Sequence, residues 1–332
     1  MTTLHPADAR ASRSHPARIL PGAGRVARQA LRRLVLLVVL LAAVFAAVGL
    51  LPGDAAGATS DRGVTAADLA ARRAALGLDR PVAQRFLDWM TGLPTGDLGT
   101  TARGRHVTDV LAGPFPNTLL LGGLALVLST VGALALGGWS ALRPGGRTDR
   151  AVDALSTAAF ALPEFVVSVG LLLLLSQWTG WLPAVTLTGP DGSPESWTMT
   201  VLPLLSLAVP QIGWNTRIVR GALADQAALP HVQAAIVDGL PRRRVLGHHM
   251  LPGALPAIAV GIATSAGMLL GGTVVVETLF NYPGIGAVLA GAITDRDTPL
   301  VAGVVAAAGT AVSLLLLLAD LVRTTALGDE RR

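Results

Sequence analysis

LRRLVLLVVLLAAVFAAVGLLPGD, residues 31–54, decides the fold class. Arg32 and Arg33 give way at once to an apolar run over 34–51, which Pro52-Gly53-Asp54 then ends. About 18 apolar residues in a helix reach across a bilayer core, whereas a barrel strand needs roughly half as many and alternates in polarity. A basic stretch before an apolar run also describes a secretory leader, but a leader ends in small residues at a cleavage site. The Leu51-Pro52-Gly53-Asp54 ending favours a retained first span.

Five further apolar stretches lie near 118–142, 152–177, 200–221, 254–276 and 301–322. The expected fold is therefore an all-α polytopic membrane protein with six transmembrane helices. The fourth is the weakest, because Pro203, Pro210 and Gln211 interrupt it. Arginine marks the cytoplasmic side. Arg25, Arg28, Arg32 and Arg33 precede the first span, Arg143, Arg147 and Arg150 lie in a short loop, Arg242, Arg243 and Arg244 in another, and Arg323, Arg331 and Arg332 at the end. The 178–199 loop carries Asp191 and Glu195 without arginine. Both termini are thus placed in the cytoplasm. The reading gives a cytoplasmic tail over 1–33, a first helix over 34–51, an extracytoplasmic segment over 52–117, a five-helix core over 118–322 with a cytoplasmic loop at 222–253, and a tail over 323–332.

Composition agrees. Of 332 residues, 52% are hydrophobic and 14% charged, against about a quarter charged in soluble domains. Every one of the 26 basic residues is arginine. Without lysine the chain holds neither a Walker A loop nor a Schiff-base amine. Without cysteine it has no thiol nucleophile, disulfide or cysteine zinc site. The pI near 11.1 is read as topology charge flanking apolar spans, not as a nucleic-acid surface. His248 and His249 point about 100° apart on a helix and have no further ligand at metal spacing, so no metal site is expected.

The 222–253 loop carries the mechanism. Pro230 can open a helix, and Val232, Ala235, Ile236 and Gly239 then recur at helical spacing until Gly239 and Pro241 stop it. A short cytoplasmic helix with a small apolar stripe suits a groove on another protein. Gln233-Ala234-Ala235-x3-Gly239-x9-His249-x-Leu251-Pro252 resembles the Glu-Ala-Ala-x3-Gly-x9-Ile-x-Leu-Pro loop of ABC importer permeases. Gln233 replaces the glutamate and His249 the isoleucine.

The likeness narrows to the dipeptide/oligopeptide/nickel branch. Its marks are Leu51-Pro52-Gly53-Asp54, Leu76-Gly77-Leu78-Asp79-Arg80-Pro81, Gly96-Asp97-Leu98-Gly99, Pro116-Asn117-Thr118 and Leu162-Pro163-Glu164-Phe165. Glu277-Thr278-Leu279-Phe280-Asn281-Tyr282-Pro283-Gly284-Ile285-Gly286 follows, then Arg296-Asp297 and Pro299. The branch's basic coupling helix is here His231-Val232-Gln233-Ala234-Ala235-Ile236-Val237-Asp238-Gly239, without its basic positions, so a dedicated ATPase is expected.

The resemblance implies a permease subunit, not an enzyme, in a bacterial inner membrane. Its partners would be two ATPase subunits that bind ATP and Mg, a second homologous permease, and an extracytoplasmic substrate-binding protein. Peptides would be the cargo, with nickel or another small solute as options. Gln233, Ala234, Ala235, Gly239, Leu251 and Pro252 would form the ATPase-coupling loop. Glu164, an ionisable group inside an apolar stretch, is a candidate for the pathway or gate, as are Pro283, Gly284 and Gly286. Asp320 is expected to pair with nearby Arg323. The competing class is an ion-coupled secondary transporter. It would show internal repeats and clustered intramembrane charges, and the sequence shows only isolated ones.

Overall fold

The computed structural model describes residues 23–60 and 64–329. Tail residues 1–22 and 330–332, with Arg331 and Arg332, lie outside them. The described chain is helical: α1 (Ala23–Gly49), α2 (Ala55–Ala58), α3 (Ala66–Ala75), α4 (Val82–Gly92), α5 (Val107–Leu111), α6 (Pro114–Ala141), α7 (Arg147–Ala161), α8 (Glu164–Leu171), α9 (Thr198–Ala227), α10 (Pro230–Val237), α11 (Arg242–Arg244), α12 (Leu251–Phe280), α13 (Ile285–Thr294) and α14 (Thr298–Asp329). Among the described residues four stretches are long and apolar enough to cross a membrane: Val26–Gly49, Val107–Ala141, Arg242–Phe280 and Thr298–Leu318.

The expected third span is not straight. Arg147–Ala161 and Glu164–Trp178 meet at 102°. The pyrrolidine of Pro163 drives Leu162 out of the helical region, to φ −78° and ψ 130°, and Glu164 begins a new helix.

The expected weak point in the fourth span holds instead. α9 runs unbroken for 30 residues through Pro203 and Pro210. It is more polar than its neighbours, with Gln211, Asn215 and Thr216 buried along it. Small residues let α6, α7 and α12 close around it, which is how helices associate where lipid supplies no hydrophobic drive. A Cβ on Gly137 would meet Val219 at 2.6 Å, one on Gly213 would meet the Ser156 carbonyl oxygen at 2.6 Å, and one on Gly261 would meet Ile218 at 2.6 Å. Packing, not intrinsic propensity, keeps this helix whole.

Two cores follow. One, toward the end carrying α10, gathers Val219, Leu223, Val232, Val245, Met250 and Ile258. The other gathers Leu121, Leu202, Leu207, Leu269, Phe280 and Tyr282. The 52–117 segment folds into α2–α5 and packs back on the bundle. Phe45 of α1 stacks on Phe86 and Trp89 of α4 at 5.3 and 5.2 Å between ring centroids.

Candidate functional site

The loop after α9 is built as its residues dictate. Leu229 is extended before Pro230 (ψ 142°), and Pro230 opens α10. Gly239 then takes φ +76°, a conformation that a Cβ disfavours. That allows the N–H of Leu240 to reach the Ala235 carbonyl at 3.2 Å and close the helix. Gln233 Nε2 donates to the Ala227 carbonyl at 2.6 Å, tying α10 to the end of α9.

The expected single stripe divides. Val232 and Ala235 are buried against their own chain, beside Val219, Leu223, Val245 and Met250. Gln233, Ala234, Ile236, Val237 and Gly239 face outward, and Val237 is 84% exposed. Adjacent helical positions point 100° apart, so a residue facing a partner and its neighbour facing the core alternate within one turn. Leu251 packs on the same core, whereas Pro252 is exposed in the first turn of α12.

Arg242 donates to the Leu142 carbonyl at 2.8 Å and joins this loop to the α6–α7 turn. Beside it lies a cluster that sequence reading did not single out. Arg220 donates to Asp149 at 2.6 Å, to Asp153, and through Nε to Ser140 Oγ at 2.9 Å. Ser140 in turn donates to Asp149. The signal present was Asp149 and Asp153 four residues apart, one helical face, opposite an arginine in the polar part of α9.

At the other end, Glu277 is fully buried at the C-terminus of α12. Its carboxylate accepts from Thr118 Oγ1 at 2.6 Å and from the Gly286 N–H at 2.6 Å. Thr118 Oγ1 also accepts from the Ile285 N–H at 2.9 Å. Gly284 and Gly286 make the space: a Cβ on either would lie 2.2 or 2.7 Å from the Glu277 carboxyl group. Asn117 Nδ2 donates to the Pro283 carbonyl at 2.8 Å, and the Tyr282 hydroxyl donates back to the Asn117 carbonyl at 3.3 Å. Pro116-Asn117-Thr118 and the 277–286 signature thus form one knot, with Gly284 and Gly286 packed around Glu277 and Pro283 held by Asn117.

The Leu51–Asp54 and Gly96–Gly99 motifs come to the turn between α13 and α14, where Arg296, Asp297 and Pro299 lie. Arg296 donates to the Pro52 carbonyl at 2.7 Å, and the Trp89 indole N–H donates to the Leu98 carbonyl at 2.8 Å. Asp297 caps α14 and accepts from the N–H groups of Ala102 at 2.7 Å and Leu300 at 3.1 Å. Burial outweighs both hydrogen bonds and pushes its carboxyl above the usual aspartate value. Asp320 pairs with Arg33 of α1, at 2.5 Å; the side chain of Arg323, its expected partner, lies outside the described residues. Glu164 is half-buried at the α7–α8 break, and a Cβ on Gly272 of α12 would lie 2.1 Å from its carboxylate.

Residues 133–325 match the family described as binding-protein-dependent transport system inner membrane component, and 25–121 match its N-terminal companion. A probable peptide ABC transporter permease protein, y4tP of Sinorhizobium fredii, is 31% identical over 89% of this chain and 96% of its own length. The oligopeptide transport system permease protein OppB of Mycobacterium tuberculosis is 31% identical over 74% of this chain and 80% of its own. A glutathione transport system permease protein, GsiC of Pectobacterium atrosepticum, is 30% identical over 86% and 92%. Among solved structures, the methionine ABC transporter MetNI in an inward-facing form superposes with a TM-score of 0.53, at 18% identity over 66% of this chain and 97% of that one. An amino acid ABC transporter gives 0.51, at 16% identity over 66% and 94%. Those two likenesses concern the fold. With the family matched over most of its length, this chain belongs to the binding-protein-dependent transport system inner membrane components, the permease subunits of ABC importers.

Proposed function

We propose that the chain is one permease of an ATP-driven importer for peptides or a related small solute. It would cross the inner membrane six times with both termini in the cytoplasm. The bent α7–α8 pair and the polar α9 would supply the two spans beyond the four apolar ones. ATP and Mg would be bound on two separate ATPase chains, and a homologous second permease would complete the pathway. Solute would arrive on an extracytoplasmic binding protein. The peptide reading rests on the names of the relatives; nickel has no support beyond the resemblance.

The observation that carries this reading is α10. Its inner residues, Val232 and Ala235, are fixed to the ends of α9 and α12, while Ile236 and Val237 stand out toward solvent. An apolar outer face on a rigidly seated helix is what an ATPase cleft needs if its closure is to move α9 and α12. The test is mild solubilisation of the tagged chain and identification of what co-purifies. An ATPase with a Walker A loop should be recovered with the parent chain and be lost with Val237→Asp, whose folding this exposed position should spare. Recovery of the chain alone, with transport indifferent to ATP, would instead favour the ion-coupled alternative.

A further inference from the structure

Arg220 stands about two turns before the end of α9, and its guanidinium ties three helices at one point. It donates to Asp149 at 2.6 Å and to Asp153, both near the start of α7. Its Nε donates at 2.9 Å to Ser140 Oγ, in the last turn of α6. Asp149 also accepts from the Ser140 hydroxyl and, at 2.9 Å, from the Gly145 N–H, so the α6–α7 turn hangs on the same carboxylate. The side chains of Arg220 and Asp149 are 22% and 18% exposed.

Fastening α7 to α9 does not require this cluster. Further along, Gly213 of α9 lies so close to α7 that a Cβ there would meet the Ser156 carbonyl oxygen at 2.6 Å. A glycine contact resists approach but lets one helix slide along the other. A forked guanidinium between two carboxylates fixes the register instead, and charge pairs screened from water add little net stability. Beside the cluster lies a cleft of about 140 Å³. Arg220, Asp149 and Ser140 line it together with Leu223, Ala227 and Met250, which belong to the core that seats Val232 and Ala235 of α10. Apolar packing is interrupted there, and the bonds of Arg220 carry the contact between α9 and the start of α7. Gln233 ties α10 to Ala227 at the end of α9, and α7 runs from Asp149 to the 102° break before α8. Rigid helices joined by charge and hydrogen-bond networks are what carries coupling between distant sites.

We propose that Arg220 is a positioning residue that makes α7 and α8 follow α9 when α10 is displaced. This rests on the importer reading, in which ATPase closure supplies the displacement.

The chain has no cysteine, so introduced cysteines carry spin labels without background. The full-length chain is purified with its ATPase and permease partners, and label distances are measured with and without ATP plus vanadate. Gly221→Cys reports on α9, because a Cβ there meets nothing within 4 Å among the described residues. Leu155→Cys, at a position 71% exposed, reports on α7, and each is paired with Leu314→Cys of α14, 57% exposed. In the parent both distances should shift by about 2 Å, the scale of helix shifts in switching proteins. Arg220→Gln should keep the Gly221 shift and remove the Leu155 shift, and Arg220→Lys should return most of it. Asp153→Asn, at a position 56% exposed and so sparing of the fold, should by itself reduce the Leu155 shift. A Leu155 shift undiminished in Arg220→Gln would overturn the proposal, because packing at Gly213 would then carry α7. So would labels that stay still in a parent complex holding its ATPase. Loss of both shifts together in Arg220→Gln and in Asp153→Asn would also overturn it, as the mark of a merely structural contact. A parent chain that captures no ATPase would sink the importer reading and this proposal with it, whereas a captured ATPase with α7 indifferent to Arg220 would sink the proposal alone.

Discussion

Among the described residues two hydrogen-bond donors meet the fully buried carboxyl group of Glu277, Thr118 Oγ1 and the Gly286 N–H. An amide in its place accepts through one atom only and sets an NH2 group against one of those donors. Glu277→Gln should therefore cost about 1–3 kcal/mol, the usual result of orphaning a buried polar group. Thr118→Val should cost a similar amount, since it also strands the Ile285 N–H. Because the two residues share a bond, the double variant should lose less than the sum, read as thermal unfolding midpoints in detergent. Additive losses would mean that the two act separately. The order of these residues in the chain made the turn legible as a motif, but not Glu277 as its centre. A sequence shows that glycines recur at 284 and 286, not that a carboxyl group needs the space they leave. In the same way Asp320 read as a neighbour of Arg323 because both lie on one helix, and nothing local pointed to Arg33, 287 residues away, with which it pairs.

α10 shows how an element can serve two surfaces. Ala235 is 5% exposed in the core with Val232, Val219 and Leu223, while Ile236 and Val237 are free. Ala235→Leu should overpack that core and lower stability by about 1–3 kcal/mol, together with any ATPase binding. An exposed substitution such as Val237→Asp should leave the unfolding midpoint in place. If Ala235→Leu left the midpoint unmoved and weakened only ATPase capture, Ala235 would belong to the outer face after all. Periodicity located this helix and its ends, since Pro230 and Gly239 impose local backbone geometry. It did not assign the faces, because alanine, valine and isoleucine suit a core and a docking groove equally well. The same limit explains α7–α8 and α9. Prolines stand in both stretches, yet Pro163 breaks its helix where Leu162 is exposed, while Pro203 and Pro210 sit in a helix clasped by α6, α7 and α12. Whether a proline breaks a helix depended on neighbours that the local sequence does not show.

Across the whole molecule, α1 is held to the bundle at both ends. Near its C-terminal end Phe45 packs with Trp89 of the 52–117 segment and with Ala302 and Ala306 of α14. Near its N-terminal end Arg33 reaches Asp320 at 2.5 Å and the Ser313 carbonyl at 3.2 Å. Between them Leu37 fits against Gly309, where a Cβ would stand 2.6 Å from it. Lipid offers α1 as apolar a surface as α14 does, so its docking relies on close packing and on this one charge pair. The side chains of Arg33 and Asp320 are 19% and 15% exposed. Removing one partner then strands a charge where water is scarce, at a cost of about 3–5 kcal/mol. Arg33→Leu should thus loosen α1 and expose the 52–117 segment to protease, because Arg296 and Trp89 hold that segment only while α1 and α14 stay together. Arg33→Asp with Asp320→Arg should restore protection, since the pair is rebuilt with its ends exchanged. If Arg33→Leu alone stayed as resistant as the parent chain, the packing at Phe45 and Gly309 would suffice to dock α1. The pair would then serve only to place Arg33 on its side of the membrane.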